Sequence, residues 1–493
     1  MDLPDSSRRT NRPLTMAALV ACVFMSALEA TVVATAMPTV IAELGGIRLY
    51  GWVTAGYLLA STVSVPVFGK LADLRGRKPW LLFGLALFLI GSVASGLSQT
   101  LVQLIVFRVI QGLGAGSMGP LALTVVSDLY SFKERGRVQG FFGSVWGLSA
   151  IVGPLLGGAM VKVLSWRWVF FVNVPIGIAA ALMLMGAFHE SKVAHRGNIH
   201  WKSAIALTVG SSLLLAVGEG REGLMLLPVA LAILAVFIWL ERDADDPILP
   251  IDLFRDRLFA VTIVLTIILG GISMGTVTYL PLFVQGVMGG TPTQAGASIS
   301  AMLVTWPLAS AVTGRLLPRL GFRLPIVIGS FLVGAAAIGL AVTVREATSA
   351  RALHFMTGAL GLGMGMAVSS SLIAVQTSVR WERRGSATAS SIFFRTMGGA
   401  LAVAVFGSML GYELARSFPP EVIARVLGAD RDAHAAVTGP LVGALAQGIH
   451  ELFVIMGIAG VIASGTGLLF PSTRPTEMVG AMASQPPPPA AGH

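Results

Sequence analysis

Fourteen apolar stretches, most of them long and separated by short polar connections, constrain this chain more than any other feature. A hydrocarbon layer about 30 Å thick is crossed by about 20 apolar residues in a helix. Inside lipid the backbone must satisfy its own hydrogen bonds, so only helices or closed barrels can span. The stretches lie at 15–40, 49–69, 79–98, 101–127, 138–163, 168–188, 203–219, 224–240, 258–284, 295–316, 324–344, 353–377, 386–412 and 449–470. The seventh and eighth are the weakest and could form a shallow hairpin; losing both together leaves the rest of the topology unchanged. The expected fold is therefore an all-α membrane protein with 14 transmembrane helices.

Composition excludes the competing classes. Hydrophobic residues make up 55% and charged residues 12% of the chain, against about a quarter charged in ordinary soluble domains. A soluble enzyme, a disordered chain and a disulfide scaffold are excluded; the one cysteine, Cys22, lies in the first apolar stretch. The formal net charge of +10 sits in short clusters between apolar blocks, a membrane pattern rather than a nucleic-acid-binding one. The polar segment Met1 to Pro13 precedes an apolar stretch too long for a signal-peptide core, so the first helix is expected to be retained.

Orientation follows from the basic residues. With the N-terminus in the cytoplasm, twenty-three of the 34 Lys and Arg fall on cytoplasmic segments and nine on external ones. Arg108 and Arg395 remain inside helices. Both termini are expected to be cytoplasmic. Segment 241–257 is charged and ends in a possible surface helix, Asp252 to Phe259; segment 413–448 is external; and the tail 474–493, with Pro486 to Pro489, is expected to be disordered.

An internal repeat divides the chain. Gly69-Lys70-Leu71-Ala72-Asp73-Leu74-Arg75-Gly76-Arg77-Lys78, after the second stretch, echoes Gly314-Arg315-Leu316-Leu317-Pro318-Arg319-Leu320-Gly321-Phe322-Arg323 after the tenth. Arg135-Gly136 is echoed by Arg384-Gly385. Stretches 1–6 and 9–14 thus read as parallel repeats with two helices inserted between them. The expected units are a six-helix bundle over 1–188, two inserted helices and a cytoplasmic linker over 189–257, and a second six-helix bundle over 258–473. Two such halves are a transporter design with its site between them at mid-membrane.

On these residues the chain resembles the major facilitator superfamily, in particular its fourteen-helix drug:proton antiporter branch. The loop Gly69 to Lys78 is similar to the superfamily signature after helix 2. Arg108-Val109-Ile110-Gln111-Gly112-Leu113-Gly114-Ala115-Gly116 resembles the helix 4 motif of proton-coupled members, and Gly147 with Gly153-Pro154-Leu155-Leu156-Gly157-Gly158 the helix 5 antiporter motif. Leu28-Glu29-Ala30-Thr31-Val32-Val33 through Met37-Pro38, and Trp166-Arg167-Trp168-Val169-Phe170-Phe171-Val172-Asn173-Val174-Pro175-Ile176-Gly177, point to the fourteen-helix branch. The family often has Asp at the acidic position of helix 1; here it is Glu29, with a longer reach.

Several residues carry candidate chemistry. Glu29 lies near the middle of the first helix, where a charge costs about 2.5–3.5 kcal/mol on insertion scales and faces the bundle interior or a wet cavity. A carboxylate poised between desolvation and a neighbouring cation can take a proton on one side and release it on the other; the competing reading is a permanent structural ion pair. Arg108, in the outer half of helix 4, either snorkels to the surface or tunes a carboxylate, which the resemblance implies is Glu29. Gln111, one turn on, joins that polar cluster or simply packs. Arg395 sits near mid-depth in helix 13, and the repeat sets it opposite Trp146 of helix 5. Its partner could be Glu29, a backbone carbonyl or a substrate anion. Glu29, Gln111, Trp146, Trp306 and Arg395 are the candidate substrate contacts; Trp52, Tyr57, Tyr279 and Phe283 could also line a pocket.

Gly69, Asp73, Arg75, Gly76, Arg77 and Lys78 read either as a solvated loop or as a gate whose ion pairs differ between inward- and outward-facing states. Gly147, Gly153, Pro154, Gly157 and Gly158 permit close helix packing and a bend. Gly114 to Gly119 matches GxGxxG, but inside a membrane helix with no preceding strand it is no nucleotide site. HExxH and GxxxxGK[ST] are missing from the sequence, and a metal site is not expected either. The resulting expectation is not an enzyme but a proton-coupled antiporter. It would export amphipathic small molecules, cationic or neutral, by alternating access, with no cofactor, driven by a proton gradient. Its partners would be protons, the substrate and the lipid bilayer, not nucleic acid, and it would act as a monomer. The alternatives are a dedicated metabolite or lipid exporter with the same coupling, or a transporter-like sensor. Of the basic residues most are Arg, which with abundant Ala and Gly suggests a GC-rich bacterial genome and hence a bacterial inner membrane.

Overall fold

A computed structural model describes residues 10–44, 50–130, 132–190, 200–216, 225–242, 244, 247–249, 251–290, 292–344, 349–417 and 439–472. Among them there is no strand. The helices are α1 (Arg12–Leu44), α2 (Tyr50–Arg75), α3 (Arg77–Gly96), α4 (Leu101–Leu129), α5 (Phe132–Val163), α6 (Trp168–Phe171), α7 (Asn173–Ala187), α8 (Trp201–Ala216), α9 (Leu227–Arg242), α10 (Arg257–Gly286), α11 (Pro292–Leu320), α12 (Arg323–Thr343), α13 (Ala350–Ser378), α14 (Arg384–Ser417) and α15 (Gly439–Leu468). The pair α6 and α7, joined at Val172, together covers the sixth apolar stretch. The proline-rich tail and most of segment 413–448 lie outside the described residues.

Among the described residues, eleven helical segments are long and apolar enough to cross a membrane. The number fourteen expected from the sequence is not reached by that measure. Each of α8 and α9 has 16 residues, about 24 Å at 1.5 Å per residue, which is short of the hydrocarbon thickness. The 32-residue α5 opens with Lys133, Glu134, Arg135 and Arg137. The surface helix expected over Asp252 to Phe259 is not one element. A 3-10 turn, Ile251–Arg255, ends there, and the Asp256 carboxylate accepts the Leu258 amide at 2.7 Å to start α10. An acceptor at a helix N-cap satisfies one of the orphan amides and sets the boundary. Thr100 and Ser349 do the same for α4 and α13.

Packing follows the internal repeat. In the first half α1 packs on α5 and α7, while α2 and α3 pack on α4. In the second half α10 packs on α14 and α15, while α11 and α12 pack on α13. Each half has its own buried apolar core. Outward faces remain apolar: Phe83, Ile90, Val342 and Phe355 are more than half exposed, as a lipid-facing surface requires and a water-facing one would penalise.

The halves meet along two helix pairs, α2 with α14 and α5 with α11. Glycine permits both. A Cβ on Gly69 of α2 would fall 2.4 Å from the Ala389 Cβ of α14, and one on Gly140 of α5 would fall 2.7 Å from the Ala311 Cβ of α11. The α8–α9 pair lies outside the halves and packs on α2 and α14. There Ile248 and Leu249 of the linker join Val65, Phe237, Phe393 and Met397 in one buried cluster. Glu241 anchors that linker by accepting the Ile248 and Leu249 amides at 2.6 and 3.1 Å.

Candidate functional site

Side chains of α4 and α7 converge on Glu29 of α1. It is 1% exposed and pairs with the Arg108 guanidinium. Its other carboxylate oxygen accepts from Asn173 Nδ2 at 2.7 Å. Arg108, also 1% exposed, donates to Gln111 Oε1 at 2.7 Å and to the Val53 carbonyl at 3.3 Å. Its guanidinium lies 4.1 Å over the Tyr57 ring. Gln111 donates to Ser92 Oγ at 3.2 Å, Asn173 reaches the same oxygen at 3.1 Å, and Ser92 donates to the Phe170 carbonyl at 2.8 Å. Arg108 and Gln111 meet because they are three residues apart on one helix face. Ser92 fits beside Gln111 because Gly91 lets the backbones close in; a Cβ there would lie 2.4 Å from the Gln111 amide nitrogen.

The chemistry of this cluster is that of one carboxyl group whose charged form is held by one cation and one amide. A buried pair of this kind is strongly destabilised if one partner is lost while the other keeps its charge, by about 3–5 kcal/mol. Proton gain at Glu29 would therefore force Arg108 to find other acceptors. Gln111 and the Val53 carbonyl already stand in place for that.

A second carboxylate lies at one end of the α2–α14 contact. Asp73, 5% exposed, is on α2, yet it accepts from Gly385 N at 2.8 Å and from Ser386 N and Oγ, both at 2.7 Å. These amides open α14, so the anion sits on a helix N-terminus, where the peptide dipoles and free N–H groups favour it. Arg77 ties the same end together. It lies 3.7 Å from Asp73, 3.3 Å from Asp128 and 3.6 Å from Glu190, donates to the Trp381 carbonyl at 3.0 Å, and sits 3.7 Å over the Trp381 ring. Arg384 reaches Asp128 from the second half at 3.3 Å. The two halves are thus locked at this end by buried charge-assisted contacts.

The remaining loop residues have distinct places. Gly76 adopts φ +91° between α2 and α3, a backbone that L side chains rarely take. Glu190 then accepts the Arg77 and Lys78 amides at 2.8 and 3.0 Å and so caps α3. Lys78 donates to the Met185 and Phe188 carbonyls at 2.9 and 2.6 Å. Arg75 is exposed.

The family follows from the whole chain. Residues 19–403 match the model of the Major Facilitator Superfamily. The chain belongs to that superfamily. Members of the superfamily are membrane transporters, so this is a multi-pass transporter. It is 34% identical over 419 residues to the multidrug transporter protein MdtP of Bacillus subtilis, covering 83% of this chain and 77% of that one. Multidrug resistance protein 3 of Bacillus subtilis is 35% identical over 400 residues, with 78% and 77% covered. Among solved structures, the proton:xylose symporter XylE has a TM-score of 0.64 at 14% identity, covering 95% of this chain and 98% of that chain. That likeness concerns the superfamily fold alone.

Within this superfamily fold the expected site residues separate. Glu29, Arg108 and Gln111 come together; Gly69, Asp73, Gly76, Arg77 and Lys78 gather at the locked end. Gly147 approaches the second half, where a Cβ would lie 3.1 Å from the Leu303 carbonyl oxygen. Gly153 and Gly157 are buried. Gly158 departs from the expected tight packing, since a Cβ there would meet nothing within 4 Å. The Pro154 side chain lies outside the described residues. Trp146 is 47% exposed on α5, and Trp306 packs against the core of the second half. Among the suggested pocket aromatics, Phe283 is fully buried, Tyr279 donates to the Val403 carbonyl at 2.7 Å, and Tyr57 carries Arg108. Arg395 does not contact Glu29.

Sequence reasoning gave no role to Asn173, Ser92, Asp128, Glu190, Trp381 or Ser386. Asn173 stood inside a quoted motif, and Gly385 inside the repeat. A neutral amide or a serine carries no charge anomaly that would mark it in a membrane helix.

Proposed function

We propose that this transporter exports amphipathic small molecules in exchange for protons. The observation that carries the reading is the burial of Glu29 against Arg108 and Asn173 inside one half, away from the contacts that join the halves. Proton exchange at that carboxyl can then bias the rocking of residues 1–188 against 258–473 without being part of the lock. The names of the Bacillus relatives support a multidrug substrate range. The bias of basic residues supports a cytoplasmic locked end, with both termini on that side. Fourteen helices are counted if α5, α8 and α9 all cross. The bacterial inner membrane and a monomeric state complete the proposal.

The cycle has three steps. Deprotonated Glu29 accompanies loading of substrate from the cytoplasm or inner leaflet; the halves rock; external protons then displace the substrate and the protonated form returns. One charge crossing 100 mV is worth about 2.3 kcal/mol, and a tenfold proton gradient adds about 1.4 kcal/mol. The test is proton release on adding amphipathic dyes to purified protein in weakly buffered detergent. Release that follows dye saturation supports antiport; saturable binding with no release overturns it.

A further inference from the structure

Arg395 is the one buried-depth cation whose charge nothing described in the chain answers. It lies ten residues beyond Gly385 on α14, about 15 Å from the locked end at 1.5 Å per residue, near the middle of the layer. Snorkelling to either surface is further than an arginine side chain extends. It is half-buried and has no hydrogen-bond or ion-pair partner among the described residues. No Asp or Glu exists in α10, α11, α12 or α13. On its own helix Glu413 is eighteen residues further on, about 27 Å away. Glu29 is already taken by Arg108 and Asn173.

The backbone holds the residue in place. A Cβ on Gly270 of α10 would fall 2.0 Å from the Arg395 carbonyl oxygen, and one on Gly398 would fall 2.2 Å from the Ile267 carbonyl oxygen. α14 therefore rests directly on the α10 backbone at this level and cannot rotate its cation away without losing that fit. Among the described residues near mid-membrane, Glu29 and Arg108 cancel and the Arg395 charge is left over. A quaternary ammonium entering that space meets repulsion; an anion meets an unanswered guanidinium that can bind a carboxylate bidentately.

We infer that Arg395 anchors an acidic group of the substrate, so that the exported amphiphiles carry a carboxylate or comparable anion, alone or with a compensating cation. The inference rests on the export reading and names its substrate class. Arg395 binds and Glu29 titrates, so the two roles separate experimentally. Three probes sharing one aromatic scaffold, bearing a carboxylate, a carboxamide or a trimethylammonium group, are titrated against the purified full-length protein by fluorescence. The expected order in the unaltered protein is carboxylate first, by tenfold or more. Arg395→Gln should weaken the carboxylate probe at least tenfold and leave the carboxamide within twofold; Arg395→Lys should keep part of the preference. Tightest binding by trimethylammonium in the unaltered protein, or equal loss of all three probes in both variants, overturns the inference. Carboxylate preference without any proton release would instead sink the antiport reading and leave this one standing.

Discussion

Two buried carboxylates, Glu29 and Asp73, sit in the first half and are held in opposite ways. Glu29 is satisfied entirely by side chains of its own half, from α4 and α7. Asp73 is satisfied by backbone amides and a hydroxyl of the other half, at the N-terminus of α14. A carboxylate held inside a rigid body can change protonation while that body moves as a unit. A carboxylate that bridges two bodies must let go for them to part. Under the proposed cycle the difference would separate a coupling group from a latch; in the sequence Glu29 stood out as an acid in an apolar stretch, and Asp73 as part of the charged loop after the second one.

The comparison can be broken most severely at Glu29. Glu29→Gln is expected to abolish substrate-induced proton release while the protein still elutes as a folded species, because Arg108 retains Gln111 and the Val53 carbonyl. Full release from that variant, measured with a pH dye, would remove Glu29 from coupling. Next comes Gly69→Val, whose added carbons collide with Ala389. Overpacking costs about 1–3 kcal/mol, enough to shift the balance away from the locked state by roughly 5- to 150-fold. Disulfide trapping between cysteines placed on α2 and α14 near this level should fall accordingly; undiminished trapping would show the contact to be pliable.

Asp73→Asn should act more mildly, because an amide oxygen still accepts from α14 while the charge is lost. Charge-assisted hydrogen bonds contribute about 1.5–3 kcal/mol, so turnover is expected to change by about tenfold with substrate affinity nearly constant. An affinity change larger than the turnover change would move Asp73 from latch to binding site. The smallest effect is expected from Glu190→Gln, which weakens the cap on α3 within one half. Loss of a cap costs about 0.5–2 kcal/mol, visible as a lower melting temperature with proton release intact.

Legibility in the sequence tracked the kind of interaction. Membrane helices, the repeat and the family could be read because length, hydropathy and motif spacing are local properties. Glu29 and Arg108 could be singled out because a charge in an apolar run is conspicuous. Their contact could not, since it joins residues 79 positions apart and depends on Gly91 admitting α4 against α3. Asn173 and Ser92 were invisible for the same reason. The Asp73 lock was half legible: the loop marked one side, whereas its receptor, the first turn of α14, offers backbone amides that no residue type announces. Gly158 shows the converse, a motif glycine with open space around it.

From residue order alone followed a polytopic transporter of two related halves, because burying about 20 apolar residues per helix in lipid leaves the chain few other options. Which carboxylate faces inward to its own bundle, and which reaches across to the other, was decided only when the helices packed. Hydropathy specifies that a segment is buried; the partner it is buried against depends on close backbone approach at a few glycines, and that is a property of the assembled bundle.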